Sequence, residues 1–317
     1  MILSGNLCPS GGKTVLIQAI FNPLLLVCCL ALYLFPALLS AGTTTGFTLL
    51  VNRVLPAIFP FMVVTKILQK GEYTTGISQK TAPFTSRVFG IDGGGILAIF
   101  AGFLAGFPLG VVTACSLYKQ GKISKRTCEK LIFFCSNPSP AFVISGVGLG
   151  VFNSTQIGII IYTSILLSAL LAGVIQNLFA CKEKTTKMET THMHLPFSNV
   201  LVDSVKESVV SMALVGGFLL FFSSLSPLID ALPFSPLTTT ILTGLLEVTS
   251  GVFSLPNQVN LIPLSAFLCS FGGLCVCTQS AVFLTDSKVS FYRYLSGRFI
   301  IGIFSFAFTT FFMLVQR

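Results

Sequence analysis

Charge is what this sequence lacks most: Asp, Glu, Lys and Arg together make up 9% of its 317 residues. A water-soluble domain carries about 25%, so there is too little charge here to coat a surface facing water. Catalytic patterns are missing too. No Cys-x-x-Cys pair occurs, no His-Glu-x-x-His, and no Ser/His/Asp constellation, so no enzyme, cofactor or metal site is expected. Ser10-Gly11-Gly12-Lys13-Thr14 has the tail of a phosphate-binding loop. Leu7, however, stands where that loop needs its first glycine, and no strand precedes it. His192-x-His194 lies in a polar stretch without further ligands. Ten cysteines are present, but Cys28, Cys29, Cys115, Cys135, Cys269, Cys275 and Cys277 lie in apolar stretches, where cysteine acts as a small hydrophobe.

What the sequence has is hydrophobic residues, 53% of the chain with a mean hydropathy of +0.89. They come in runs of about 18 to 25, the length needed to cross a hydrocarbon core of about 30 Å. The solvent is lipid, and the class is an all-α integral membrane protein. The net charge of +9 is carried by short segments between the runs. That is the positive-inside pattern of membrane loops rather than a basic face for nucleic acid. The stretch after Lys13 is too long for a cleavable signal, so a retained first helix with a cytoplasmic N-terminus is expected.

Nine apolar segments follow one another: 15–39, 54–69, 95–118, 131–152, 157–180, 207–229, 237–255, 261–284 and 298–315. If all nine crossed, the basic loop around Lys80 and the basic loop around Lys125 would fall on opposite sides. If 95–118 and 237–255 are instead re-entrant hairpins, every Lys and Arg except Arg53 and Arg317 falls on the cytoplasmic side. Breakers support this: Gly106-Phe107-Pro108-Leu109-Gly110 in the first and Thr249-Ser250-Gly251 in the second. The expectation is about seven spanning helices plus two hairpins. A purely structural alternative makes Gly102, Gly106 and Gly110 a helix-packing face.

The halves also resemble each other. Phe133-Phe134-Cys135-Ser136 has its counterpart in Phe267-Leu268-Cys269-Ser270, each after a candidate hairpin and before a long span. With the charge count, the halves are inverted, an arrangement common in secondary transporters. The expected organisation is an N-terminal helix over 1–44, a first repeat over 45–180, a polar linker over 181–206 and a second repeat over 207–317.

Glu247, flanked by apolar residues, is the most informative position. A charge there costs about 2.5 to 3.5 kcal/mol on insertion scales, so it should face a cavity. It could bind a coupling proton or cation, accept a hydrogen bond from substrate with Thr249 nearby, or be a structural carboxylate. Asn137-Pro138-Ser139-Pro140 and Ser270-Phe271-Gly272-Gly273 interrupt helical segments, and Pro138 and Pro140 remove amide donors. Such breaks, with Ser136, Asn137, Ser139, Ser270 and Gln279, offer polar contacts and bare helix N-termini to an anion. Helix-packing hydrogen bonds are the plainer explanation for each. Gly106, Pro108 and Gly110 would form the hinge of the first hairpin. Arg53 and Arg298 sit at segment ends, where such side chains commonly reach for the interface. Arg53 is the better substrate candidate because it opposes the charge bias.

The string Gly106-Phe107-Pro108-Leu109-Gly110, Lys119-Gln120-Gly121-Lys122-Ile123-Ser124 and Asn137-Pro138-Ser139-Pro140 resembles the YlbJ family of sporulation integral membrane proteins. In the second half, Gly244 to Gly251 and Ser270 to Val276 extend the resemblance, which covers about residues 45 to 310. The resemblance implies the nucleoside-recognition or Gate group, a spore-forming bacterium, and a membrane of the cell or outer forespore. It also implies export of dipicolinic acid, a planar dianion, from the mother cell. The Gln-Thr-Glu hairpin signature of nucleoside transporters is replaced by Gly-Phe-Pro-Leu-Gly. A nucleoside or metal-ion permease, or a non-transporting membrane scaffold, are the alternatives. The expected partners are the lipid bilayer, a small anion and a coupling ion. An oligomer is compatible with the sequence.

Overall fold

A computed structural model describes residues 30, 33–70, 73–179 and 197–315. These residues are helical, with no strand among them. Most of the expected first span, the 181–196 part of the linker, His192, His194 and Arg317 lie outside them.

Helix α1 (Pro36–Leu49) begins with proline in its first turn, where a missing amide costs nothing. It continues through a π-helical segment, Leu50–Val54, into α2 (Leu55–Lys70). Both joints keep right-handed helical torsions (Leu50 φ −58°, ψ −52°; Leu55 φ −62°, ψ −50°). The sequence reading put a break between segments 39 and 54, and a boundary at 44/45; the chain is helical through both. The cause is local. The hydroxyls of Thr43, Thr44, Thr45 and Thr48 each donate to the carbonyl four residues back. A polar run can thereby satisfy itself inside a helix.

Helix α3 (Tyr73–Val88) leads to a sharp bend. The run Lys80–Val88 and the run Gly93–Ala105 meet at 89°. The second of these contains α4 (Ile96–Phe100) and a π-helical turn, Ala101–Ala105. Gly106, at φ +90°, and a cis peptide between Phe107 and Pro108 then reverse the chain into α5 (Leu109–Lys119). The arms press together: a side chain on Gly102 or Gly110 would overlap the backbone of the other arm and the Cys135 carbonyl. Only glycine fits there. The ends meet as well, since Asp92 accepts from the Ser124 amide and hydroxyl, both at 2.8 Å. Segment 95–118 is therefore a hairpin. Gly102 and Gly110 pack the arms on each other and also seat the end of α6, so the packing alternative holds beside the hairpin.

Helix α6 (Lys125–Phe134), capped by the Ser124 hydroxyl, stops at Cys135. After the Ser136–Pro140 break the chain resumes as a π-helical stretch, Ala141–Leu149, and a short α7 (Gly150–Phe152). Among the described residues, four helical runs are long and apolar enough to cross a membrane, five if the bent pair counts as one. They are α8 (Thr155–Leu178), α9 (Phe197–Asp230), Val259–Asp286 and α14 (Phe291–Val315). Helix α9 begins ten residues before the expected end of the linker. Val259–Asp286 holds α12 (Ile262–Phe271) and α13 (Gly273–Asp286), joined through Gly272 and Gly273 at φ +83° and +72°.

Between α9 and Val259 lies the second hairpin. Helix α10 (Pro236–Leu246) ends at Glu247, whose extended torsions (φ −140°, ψ 111°) turn the chain into α11 (Val248–Phe253). The expected breaker, Thr249-Ser250-Gly251, lies inside α11; the turn is two residues earlier because the Glu247 carboxylate caps the new helix. Gly251 meets the Gly244 backbone so closely that it tolerates no side chain, while one on Gly244 would press on the Leu268 side chain at 3.0 Å.

Polar pairs gather one set of helix ends. Lys66 and Lys70 bind Glu207 at 3.1 and 2.8 Å, Lys122 donates to the Gln69 carbonyl, and Lys119 pairs with Asp286. Arg293 lies 3.8 Å from Glu129, and Lys130 donates to the Gly90 carbonyl (2.9 Å) and to Asn177 (3.0 Å). One end of the molecule thus carries these basic residues from both sides of the first hairpin. Gly42 and Gly46, at the other end of the α1–α2 run, pack on Ser223 of α9, so the two runs are antiparallel.

Candidate functional site

The hairpin tips and the two helix breaks meet in the middle of the bundle. Gly106 at the first tip faces the first break: a side chain there would stand 2.7 Å from the Ser139 amide nitrogen. At the second tip, Gly273 sits against the carbonyls of Gly244, Leu245 and Leu246, at 3.0 to 3.2 Å from where its side chain would begin. Each break therefore abuts the hairpin that precedes it.

Between them lies a cavity of about 370 Å³. Ala105, Gly106 and Phe107 line it from the first tip, and Glu247, Val248 and Thr249 from the second. Ser139, Phe142 and Ser145 follow the first break, while Cys275, Val276 and Gln279 follow the second. Val215 and Leu219 of α9 and Asn52 of the π-helical turn complete much of the wall. The wall is mostly apolar with a few convergent polar groups, the usual composition of a small-molecule site.

Glu247 is 1% exposed. Its carboxylate oxygens accept from the amides of Thr249 (2.9 Å) and Ser250 (2.6 Å). Both oxygens satisfy amides that the start of α11 would otherwise leave unpaired. Glu247 thus has the structural role foreseen for it and also faces the cavity. It is the charged residue among the described lining residues. The free N–H groups expected after the breaks are partly spoken for as well, since Ser139 accepts from the Phe142 amide at 3.2 Å. Gln279 donates to Cys275 Sγ at 3.2 Å and reaches the Val215 carbonyl at 3.5 Å, spanning from α13 to α9.

Of the residues singled out from the sequence, Glu247, Thr249, Ser139, Gln279 and Gly106 line the cavity. Ser136, Asn137, Ser270, Gly272, Gly273, Pro108, Gly110, Pro138 and Pro140 are not among the lining residues. Asn137 donates to the Phe134 carbonyl at 2.9 Å and finishes α6, while Ser270 donates to Ser305 on α14 at 2.7 Å. Both are the packing bonds that the plainer reading expected. The Arg53 side chain lies outside the described part of the structure. Arg298 does not reach an interface but is 0% exposed. Gly297 beside it lets α14 lie directly on the Phe133 carbonyl, which draws residue 298 inside the bundle. Asn52, Ser145, Phe142 and Phe253 were not foreseen. Asn52 had a signal, a polar pair with Arg53 inside an apolar run; the two phenylalanines had none among 31.

The chain is 22% identical over 312 residues to the sporulation integral membrane protein YlbJ of Bacillus subtilis. The match covers 84% of this chain and 76% of that protein. This chain is a YlbJ relative. The similarity agrees with the resemblance read from the Gly-Phe-Pro-Leu-Gly and Asn-Pro-Ser-Pro strings, and the apolar spans make the chain a multi-pass membrane protein. No family model matches it. No solved structure matches it either.

Proposed function

We propose that this chain is a membrane transporter that moves a small, planar, carboxylate-bearing solute through the central cavity during sporulation, dipicolinate being the best candidate. The observation that carries this reading is the cavity itself: two hairpin tips and two helix breaks converge on it, and a buried carboxylate faces it. A scaffold needs no such space.

The helix ends support an inverted repeat of the Gate type. The first hairpin opens toward the basic end, where Asp92 and Ser124 meet. The second follows Asp230, about 35 Å along α9 from Glu207, and so enters from the other end. The runs 36–70, 125–152, 155–178, 197–230, 259–286 and 291–315 alternate in direction between these ends. These are six of the spans of the seven-span reading, in which the basic end is cytoplasmic; most of the expected first segment, 15–39, lies outside the described residues.

Glu247 sets the terms of transport. A carboxylate and a substrate anion about 4 Å apart repel by about 4 kcal/mol at an effective dielectric of 20. An anion therefore enters with a proton on Glu247 or with a cation beside it, which makes the carrier a coupled one. A second reading is favoured by the same residue. With one carboxylate, no described cation in the wall, and Phe107, Phe142 and Phe253 around it, the cavity also suits a neutral heteroaromatic solute such as a nucleoside.

Uptake of labelled dipicolinate and of a labelled nucleoside into proteoliposomes tests both. Dipicolinate uptake should respond to an imposed proton or cation gradient, and Glu247→Gln, which removes the charge at the cavity, should keep uptake while losing most of that coupling. Nucleoside uptake without dipicolinate uptake would select the second reading. Rates equal to protein-free vesicles for both solutes would defeat transport.

A further inference from the structure

Behind the cavity, on the opposite side of α13, lies a positive charge that nothing in the description above employs. The Arg298 guanidinium is 0% exposed. Nη1 donates to the Ser270 carbonyl at 3.2 Å, and the guanidinium carbon sits 5.8 Å above the Tyr294 ring. Nε and Nη2 have no partner. The carboxylates in ion pairs among the described residues, Glu129, Glu207 and Asp286, are engaged by other cations.

Arginine does not escape burial by deprotonating. An uncompensated charge in an apolar interior is among the most expensive groups a fold can hold, and one carbonyl and one ring do not neutralise it. The surroundings point to what does. The Tyr294 hydroxyl accepts from Ser280 at 3.1 Å and lies within hydrogen-bond reach of Ser136 and Cys277. The buried Ser136 hydroxyl lies within reach of that of Tyr294 but makes no well-aligned bond. Two guanidinium nitrogens and the Ser136 hydroxyl are thus poorly spent in one buried neighbourhood, beside the Cys135 and Cys277 thiols and with no carboxylate to receive them. That is a donor set for an anion.

We infer that Arg298, flanked by Ser136 and Tyr294, holds a buried monovalent anion, a halide or the carboxylate of a small solute, at a site separate from the cavity. This site does not depend on the transport reading. The side chains that would hold the anion come from the first helix break and from α14, and Arg298 also holds the carbonyl of Ser270 at the second. An occupied site would therefore brace both breaks.

The test is thermal unfolding of the purified full chain in detergent, with chloride replacing gluconate at constant ionic strength and a parallel arm with acetate. In the wild type the midpoint should rise by about 4 °C as chloride or acetate reaches about 100 mM. Arg298→Gln should be flat in both arms. A response to chloride alone identifies a halide site, and one to acetate alone a carboxylate site; either supports the inference. A flat wild type in both arms, or an equal rise in Arg298→Gln, overturns it. Should Arg298→Gln fail to fold, Ser136→Val decides: half-saturation shifted about fivefold upward supports the site, and an unchanged value overturns it.

Discussion

At the scale of single residues, the cavity separates polar side chains that hold the fold from those free to meet a ligand. Ser270 and Asn137 are spent on α14 and on the end of α6, whereas Gln279 donates to the Cys275 sulfur and, at 3.5 Å, to the Val215 carbonyl, and faces the cavity. Gln279→Leu keeps the volume and removes the polar head. Uptake of the preferred solute should fall about tenfold, worth about 1.4 kcal/mol, while the unfolding midpoint moves by no more than about 2 °C. A parallel fall in both would make Gln279 a packing residue. Glu247 was legible in the sequence because an isolated carboxylate in an apolar run has to face something polar. Its capping role was less so, because that depends on where the chain turns. The turn was sought at Gly251, but glycine here serves close approach and the acid makes the turn. Arg298 misled for a related reason. Its position near the start of a span suggested a reach outward, and the contact that prevents this, Gly297 on the Phe133 carbonyl, joins residues 164 apart.

At the scale of elements, the hairpins are clasps closed by glycine. The Cys135 carbonyl, at the end of α6, is wedged against both Gly102 and Gly110. Gly102→Val would force the first hairpin off α6, an overpacking cost of about 3 kcal/mol. The unfolding midpoint should drop by roughly 8 °C, and a drop below about 2 °C would mean the arms part easily. The sequence displayed this hairpin through Pro108 and the charge balance. Helix α1 was hidden because four threonines between residues 43 and 48 look like a loop, yet each hydroxyl folds back on its own helix. Periodicity alone does not reveal that self-satisfaction.

At the scale of the whole molecule, the contacts around Glu207, Gln69 and Asp286 gather residues that charge counting alone had put on one side. Single cysteines at Lys122 and Asn257, in a cysteine-free background, should therefore react with membrane-impermeant maleimide from opposite faces of oriented vesicles. Labelling from one face would remove the inverted arrangement. A second pair, Lys80 and Lys125, should share a face, and opposite faces would turn the first hairpin into a span. The order of the segments and the class of the fold were readable because lipid imposes length and sidedness on sequence. The repeat and Glu247 also point to a site where the hairpins meet the broken helices, but which side chains line that cavity was not readable, because it depends on packing between parts of the chain more than a hundred residues apart.

The antiparallel pair of α9 with the α1–α2 run carries one more consequence, a matter of membrane thickness. Glu207 and Asp230 bracket 22 residues, most of them apolar, about 35 Å of helix between charges, against a hydrocarbon slab of about 30 Å. The ten residues of α9 before Glu207 then stand proud of the lipid at the basic end. A span of that height tilts or draws the lipid up around it in a bilayer of ordinary thickness, and does so more in a thinner one. The lipid environment thereby becomes a determinant of how the two hairpins are held against each other.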